Sequence, residues 1–393
     1  MKKRIIFVME SLRIGGAEKS LVTILSLLDK DKYDIDLYLF RPSGEFLAQV
    51  PKEVKILLPQ SEDKIKKDFK TDWIRYFLRG KFKRSFYSLK WLVNCCYSKY
   101  IKHEEEYLGW NIDTHLYSDI PGEYDVAIGF LEKKTTYFVV DHVKAKKKMA
   151  FMHTDYDAIP HDKELDNIYY NQLDYLAVVS EHTKETMLKH FPSMNNKVKI
   201  IKNMVSPEII YKMADTEKCE IENGKSDLKI TTVGRLTLQK KIDGAVEILR
   251  ILRNQGIDAE WFVVGEGEER KKLEEQIKKY ELEDKFHLVG AKANPYPYMK
   301  NCDIYVQPSR WEGYGITVAE AKVLCKPIVT SDIPEFREQL TDGVTGIIRK
   351  ETEEMAKAII EIYQSEKLRE MLIDNLTNCV ADFEELKKLE KLF

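Results

Sequence analysis

The segment VQPSRWEGYGITVAEAKVLCKPIVTSDIPE, residues 306–335, sets two carboxylates, Glu312 and Glu320, on either side of Gly313 and Gly315. An apolar run ends at Val306, a glycine loop follows, and a helix is expected to begin near Ile316. Successive backbone N–H groups at such a helix start can receive a phosphate, helped by the helix dipole. Two acids touching one anion would repel it. Both suit hydroxyl groups better, Glu320 a ribose diol and Glu312 a sugar. The plainer alternative is a pair of surface carboxylates on a capped helix.

A second stretch, VGRLTLQKKID, residues 233–243, places Arg235 just after an apolar run and Lys240 near the start of the next helical pattern. A guanidinium fork and an ammonium point charge converging from one loop suit a diphosphate. Alone, such a loop is more often merely solvated. In one domain with Glu312 and Glu320, and also at a strand end, it favours the functional reading. A third stretch, VMESLRIGGAEKSL, residues 8–21, runs from a strand through Gly15 and Gly16 into an amphipathic helix. It spells neither G-x-G-x-x-G nor a phosphate loop ending in G-K-[ST].

His153 follows the apolar run of KKMAFMHTDYD, so it falls at a strand end; a lone histidine there is more often a structural hydrogen-bonder. Asp155 and Asp157 form a D-x-D after the same strand, which could hold a divalent cation through a diphosphate. Asp34 and Asp36 repeat the pattern but precede their strand. With Arg235 and Lys240 available to neutralise the diphosphate, no metal is expected to be required.

Short apolar runs at 5–9, 35–40, 124–130, 148–152 and 175–180, then at 228–234, 260–265, 286–290, 303–307 and 327–330, alternate with longer amphipathic stretches. Strands alternating with helices imply parallel sheets covered on both faces. The two series open alike, with RIIFVMESLRIGGAEKSLVTILSLL and KITTVGRLTLQKKIDGAVEILRIL. The fold expected is two Rossmann-like doubly wound domains facing a cleft, 1–205 and 206–379, the polar stretch 212–227 being the best linker candidate. The final helical segment, about 380–393, could pack on either domain.

Residues 61–118 break the rhythm with cations, among them Lys81, Lys83 and Arg84, interleaved with aromatics such as Trp91. An interfacial helix on anionic lipid and a solvated helical insertion both fit this pattern. Nucleic acid fits poorly, because the net charge is −2 and any basic patch is local. The six cysteines show no C-x-x-C pairing and no histidine at zinc-finger spacing, and read as reduced packing residues. No run approaches the roughly 18 apolar residues that span a bilayer. A cytoplasmic protein, able to lie against a membrane, is expected.

Together, PSRWEGYGITVAEAK with its E-x7-E form, VGRLTLQKKID, VVGEGEER (263–270), IIKNMV (200–205), SDIPEFRE (331–338) and IGGAEKSL resemble the retaining glycosyltransferases of the large family four, which have the GT-B fold. The likeness runs from residue 5 to about 349 and is loose between 60 and 120. It implies a nucleotide-sugar donor, with UDP-sugars expected, and a glycan, lipid-linked or protein acceptor in bacterial surface-polysaccharide or capsule synthesis.

Position by position, it implies that Glu320 binds the ribose while Arg235 and Lys240 hold the diphosphate. The amides of Tyr314, Gly315 and Ile316 would take the distal phosphate, with Gly313 and Thr317 beside them. Glu312 would contact the sugar, and His153 would lie next to the donor sugar and reaction centre. Gly234 and Gly265 would line the donor, and Gly15 and Gly16 would close on it from the other domain. Lys241 departs from the family, which often has glycine after the lysine. A catalytically silent GT-B partner subunit and a nucleotide-sugar epimerase of the same fold are the competing readings.

Overall fold

The computed structural model describes residues 2–59, 69–98, 110, 114–159, 161–377 and 384–393. The chain divides into two compact units, Met1–Ile201 with Leu386–Phe393, and Lys202–Glu385.

The first unit carries a seven-stranded sheet in the order β3-β2-β1-β4-β5-β6-β7. Its strands are β1 (Lys3–Met9), β2 (Tyr33–Leu39), β3 (Lys55–Leu57), β4 (Tyr124–Gly129), β5 (Ala145–Met152), β6 (Tyr175–Val178) and β7 (Val198–Ile200). Every pairing is parallel. That explains why β1 reads as an unbroken apolar run, with Ile5 to Met9 fully buried: both faces are covered by helices. In the middle of β2, buried Asp36 accepts a 2.6 Å hydrogen bond from Tyr124 Oη. The C-terminal residues complete this unit. The Phe393 ring meets Tyr33 edge-on at 5.6 Å, and Lys147 Nζ donates to the Leu392 carbonyl at 3.0 Å.

The second unit carries a six-stranded sheet in the order β10-β9-β8-β11-β12-β13. Its strands are β8 (Leu228–Val233), β9 (Ala259–Val264), β10 (Phe286–Gly290), β11 (Ile304–Gln307), β12 (Ile328–Ser331) and β13 (Ile347–Arg349), again all parallel. The helices Ile242–Asn254 and Thr352–Gln364 bury Ile248, Leu249, Ile359 and Ile362 in one core with Trp261.

Both sheets are doubly wound, and the strand order reverses once in each, between β1 and β4 and between β8 and β11. Ligands of such sheets sit beyond the carboxyl ends of the strands at that reversal. The helices Phe69–Leu78 and Phe82–Ser98 form a hairpin in the first unit. Among the described residues, no helix is long and apolar enough to cross a membrane. Cys219, Cys302 and Cys325 are free thiols.

Candidate active site

The loop leaving β8 and the loop leaving β11 meet at the reversal point of the second sheet. Lys240 Nζ donates to both carboxylate oxygens of Glu312, at 2.6 and 2.7 Å, and Glu312 is 4% exposed. Ser309 Oγ donates to the same carboxylate at 2.6 Å, Gln307 Nε2 donates to Ser309 Oγ at 2.9 Å, and Tyr305 Oη donates to Gln307 Oε1 at 2.7 Å. A chain of side chains climbing β11 therefore fixes the carboxylate that holds the lysine.

The two loops are laced elsewhere as well. The Arg310 amide donates to the Gln239 carbonyl at 2.8 Å, and Gln239 Nε2 donates to the Trp311 carbonyl at 3.1 Å. The Arg310 guanidinium reaches Asp243 through both terminal nitrogens, at 3.2 and 3.0 Å. Arg310, Gln239, Asp243, Ser309 and Gln307 are site-building residues that sequence motifs did not single out. Only Gln307 and Ser309 gave a signal, as polar types at the end of an apolar strand.

Arg235 lies on the same loop but points to solvent, and no ion pair or side-chain hydrogen bond engages it among the described residues. Gly234 and Gly265 lace the ends of β8, β9 and β10: the Gly234 amide donates to the Val264 carbonyl at 3.0 Å, and the Gly265 amide to the Gly290 carbonyl at 2.9 Å. Lys241 adopts φ +51°, ψ +43°, left-handed backbone that favours glycine. Glycine, which the family resemblance implies at this place, would relieve that strain.

The helix Ile316–Val323 starts where the sequence places it, and no side chain caps it. Gly315 is its N-cap at φ +80°; a Cβ there would come within 2.6 Å of the Phe336 ring. Thr317 Oγ1 lies 3.3 Å from Gln307 Oε1, tying this helix start to the same polar chain. The Tyr314 carbonyl accepts from Gln339 Nε2, and burial raises the Tyr314 phenol above its ordinary value. Gly313 is buried. Glu320 is fully buried and its Oε1 accepts from Tyr296 Oη at 3.0 Å, so the two acids of the motif face different partners. Burial, reinforced by Glu320, pushes the Tyr296 phenol well above its usual range.

In the first unit, Gly15 caps the helix Gly16–Leu27 in extended backbone. The glycine that this loop requires is Gly44: at φ +126°, a Cβ would stand 2.0 Å from the Leu12 backbone. His153 follows β5, buried, its ring stacked on Phe151 at 5.5 Å and near Phe130 at 4.9 Å. The amides of His153 and Thr154 donate to Glu132 Oε1 at 2.5 and 2.7 Å. Glu132, in the loop after β4, was not singled out by sequence, and burial raises its carboxyl above the ordinary glutamate value.

Asp155 and Asp157 are engaged by His182 at 3.4 Å and by His190 and Lys189 at 2.5 and 3.1 Å. Among the described residues no cluster of three or more metal-ligating side chains forms. Of the basic patch, Lys83 is exposed, whereas Arg84 turns inward to Ser118 Oγ at 2.8 Å. The Trp91 side chain lies outside the described residues.

Two all-parallel sheets, each wound about one reversal, define a two-domain α/β protein of the GT-B class. Residues 214–378 match the family model of the glycosyl transferases group 1, so the second unit is a domain of that family. The chain is 24% identical to the amylovoran biosynthesis glycosyltransferase AmsD of Erwinia amylovora over 94% of this chain and 92% of that protein. It is 23% identical, over 98% and 97% of the two chains, to the N-acetylgalactosamine-N,N'-diacetylbacillosaminyl-diphospho-undecaprenol 4-alpha-N-acetylgalactosaminyltransferase of Campylobacter jejuni.

With two further relatives, at 29% and 30% identity, the chain spans only 41% and 45% of their length. Among solved structures, Anabaena HepE in complex with UDP-glucose aligns at a TM-score of 0.69 and 15% identity, over 99% of this chain and 100% of that one. That likeness shows the fold.

Proposed function

We propose that this protein is a retaining glycosyltransferase that moves a sugar from a nucleoside diphosphate sugar, a UDP-sugar, to an acceptor hydroxyl in surface-polysaccharide or lipid-linked oligosaccharide synthesis. The observation that carries the reading is the meeting of the Lys240 loop and the Glu312 loop at the strand reversal, beside a helix start that no side chain caps. Cation, carboxylate and free amides there match a diphosphate next to a polyol. The HepE complex with UDP-glucose supports the donor class, and the AmsD likeness supports the polysaccharide setting. The Campylobacter relative supports a lipid diphosphate acceptor.

In this reading negative charge builds on the departing diphosphate, and Arg235 and Lys240 stabilise it where it develops. Glu312 holds Lys240 in place and accepts from a sugar hydroxyl. Glu320 receives the ribose through its carboxylate, which Tyr296 orients from one side. No covalent nucleophile is assigned. The acceptor attacks the face that the diphosphate leaves, and a phosphate oxygen takes its proton, which preserves the anomeric configuration. No metal is required. The protein works in the cytoplasm, against the inner membrane face.

Incubation with candidate UDP-sugars and lipid-linked acceptors in the presence of EDTA tests this. Free UDP and a new glycoside of the donor's anomeric configuration are expected. Donor interconversion without acceptor would make the protein an epimerase. Donor binding without turnover would make it a silent partner subunit.

A further inference from the structure

We propose that the helical hairpin Phe69–Leu78 and Phe82–Ser98 is a bilayer-insertion device. Its apolar ridge enters the acyl boundary of an anionic leaflet, and the cations at its turn take lipid phosphates. This gives a physical form to the membrane contact of the preceding reading, on which its biological purpose rests.

The hairpin is amphipathic in the wrong sense for a solvated insertion. Phe82, Phe86, Leu89 and Val93 fall at i, i+4, i+7 and i+11, which is a single stripe of a helix, and all four are exposed, Phe82 and Phe86 at 63% each. On the first helix Ile74, Phe77 and Leu78 are exposed as well, Leu78 at 80%. These make seven of the fifteen large apolar side chains exposed among the described residues.

The face of the second helix that turns inward carries Arg84, Ser85, Tyr87 and Ser88, with Leu92 half-buried, and none of its phenylalanines. Ser85 and Ser88 are buried, Ser85 Oγ donates to the Trp73 carbonyl at 2.7 Å, Arg84 bonds Ser118, and the Tyr87 ring lies 3.9 Å from His115. A helix that packs its serines and shows its phenylalanines is built for an apolar outside.

At the turn, Gly80 takes φ +72°, and the Phe77 and Phe82 rings meet edge-on at 5.4 Å. Seven cations and one acid, Asp72, lie within residues 69–98. Arg79, Lys83 and Lys90 are exposed beside the ridge. A second copy of this face would set cation against cation. Stacked bases would find Ile74, Leu78, Leu89 and Val93 useless, since only aromatic rings stack. An anionic lipid surface satisfies both the ridge and the charge.

The test is co-sedimentation of the full chain with phosphatidylglycerol/phosphatidylethanolamine vesicles and with phosphatidylcholine vesicles. The wild type is expected to bind the anionic vesicles, with affinity falling about fivefold for each of Lys83→Gln and Lys90→Gln at low salt. The Phe77→Ser/Phe82→Ser/Phe86→Ser variant should lose at least tenfold, and the loss should persist at high salt. Phe86→Trp should be quenched by lipids brominated in the acyl chains.

The substituted groups are exposed, so melting curves should not move. Absence of vesicle binding, binding unaffected by the serine variant, or no quenching would each overturn the proposal. So would a wild-type dimer that the serine variant abolishes. UDP titration separates the two readings. The serine variant should bind UDP as the wild type does, whereas a wild type that ignores UDP would sink the transferase reading and leave the vesicle result standing.

Discussion

Lys240 and Glu312, 72 residues apart in the chain, form a doubly hydrogen-bonded ion pair that joins the loops after β8 and β11. The side chains are 14% and 5% exposed, so water screens the pair weakly. In the proposed reading, a lysine that binds a diphosphate must stand at a fixed place. Glu312, itself held by Ser309 and through it by Gln307, supplies that place.

Removing one partner of a buried pair strands the other. Lys240→Ala is expected to cost about 3 kcal/mol or more in urea unfolding. Lys240→Met with Glu312→Leu should regain most of that stability and none of the transferase activity. If the double variant is as unstable as the single one, the pair is not the cause of the loss.

Arg235 behaves oppositely because nothing in the fold depends on it. Arg235→Ala should leave stability within about 0.5 kcal/mol and lower turnover by about a hundredfold, read as UDP release. An unchanged rate would remove Arg235 from the diphosphate site.

Lys241 spends conformational energy at φ +51°. Lys241→Gly should stabilise the protein by about 0.5–1 kcal/mol, since relief of the left-handed strain outweighs the added freedom of the unfolded chain. Lys241→Val should destabilise it. Thermal melts of the three proteins check the order.

Burial raises the Glu132 carboxyl, so the folded state holds this proton to a higher pH than the unfolded state does. The unfolded state binds fewer protons in that window, so stability falls as pH rises from the ordinary glutamate value to the raised one. Above that window the difference is constant. Glu132→Gln keeps an oxygen for the His153 and Thr154 amides and cannot ionise. Denaturant unfolding between pH 4 and 8 should show a fall in the wild type that the variant lacks. Parallel profiles would contradict this.

The ten apolar runs of the sequence are all strands of the two sheets, because a parallel strand buried on both faces is written as a mainly hydrophobic run, broken here at positions such as Asp36 and Thr231. The strands it does not announce are β3, β7 and β13. Each has three residues, and each is an outer strand of its sheet, where Lys55, Lys199 and Arg349 interrupt any run.

The helix start at Ile316 and the loop carrying Arg235 and Lys240 were legible for a similar reason: glycines before a helix and a paired Arg and Lys are written locally. The Lys240–Glu312 pair was not, because it depends on the β8–β11 crossover that brings distant loops together. Gly44 was hidden behind Gly15 and Gly16, since its need arises from Leu12, 32 residues earlier in the sequence. Glu132 gave no motif because its partners are backbone amides. The basic stretch showed its charge but not that Phe77, Phe82 and Phe86 face outward, which only packing decides.

The most direct measurement of the donor site is a calorimetric titration of UDP into the full chain in EDTA, repeated with Glu320→Gln. The substituted amide would still accept from Tyr296 and would lack the charge that a ribose diol meets. Saturable one-site binding without metal, weakened at least tenfold by the substitution, is the expected result. No binding heat, binding only with added divalent metal, or equal affinity in the variant would contradict the placement of a nucleotide donor at this strand reversal.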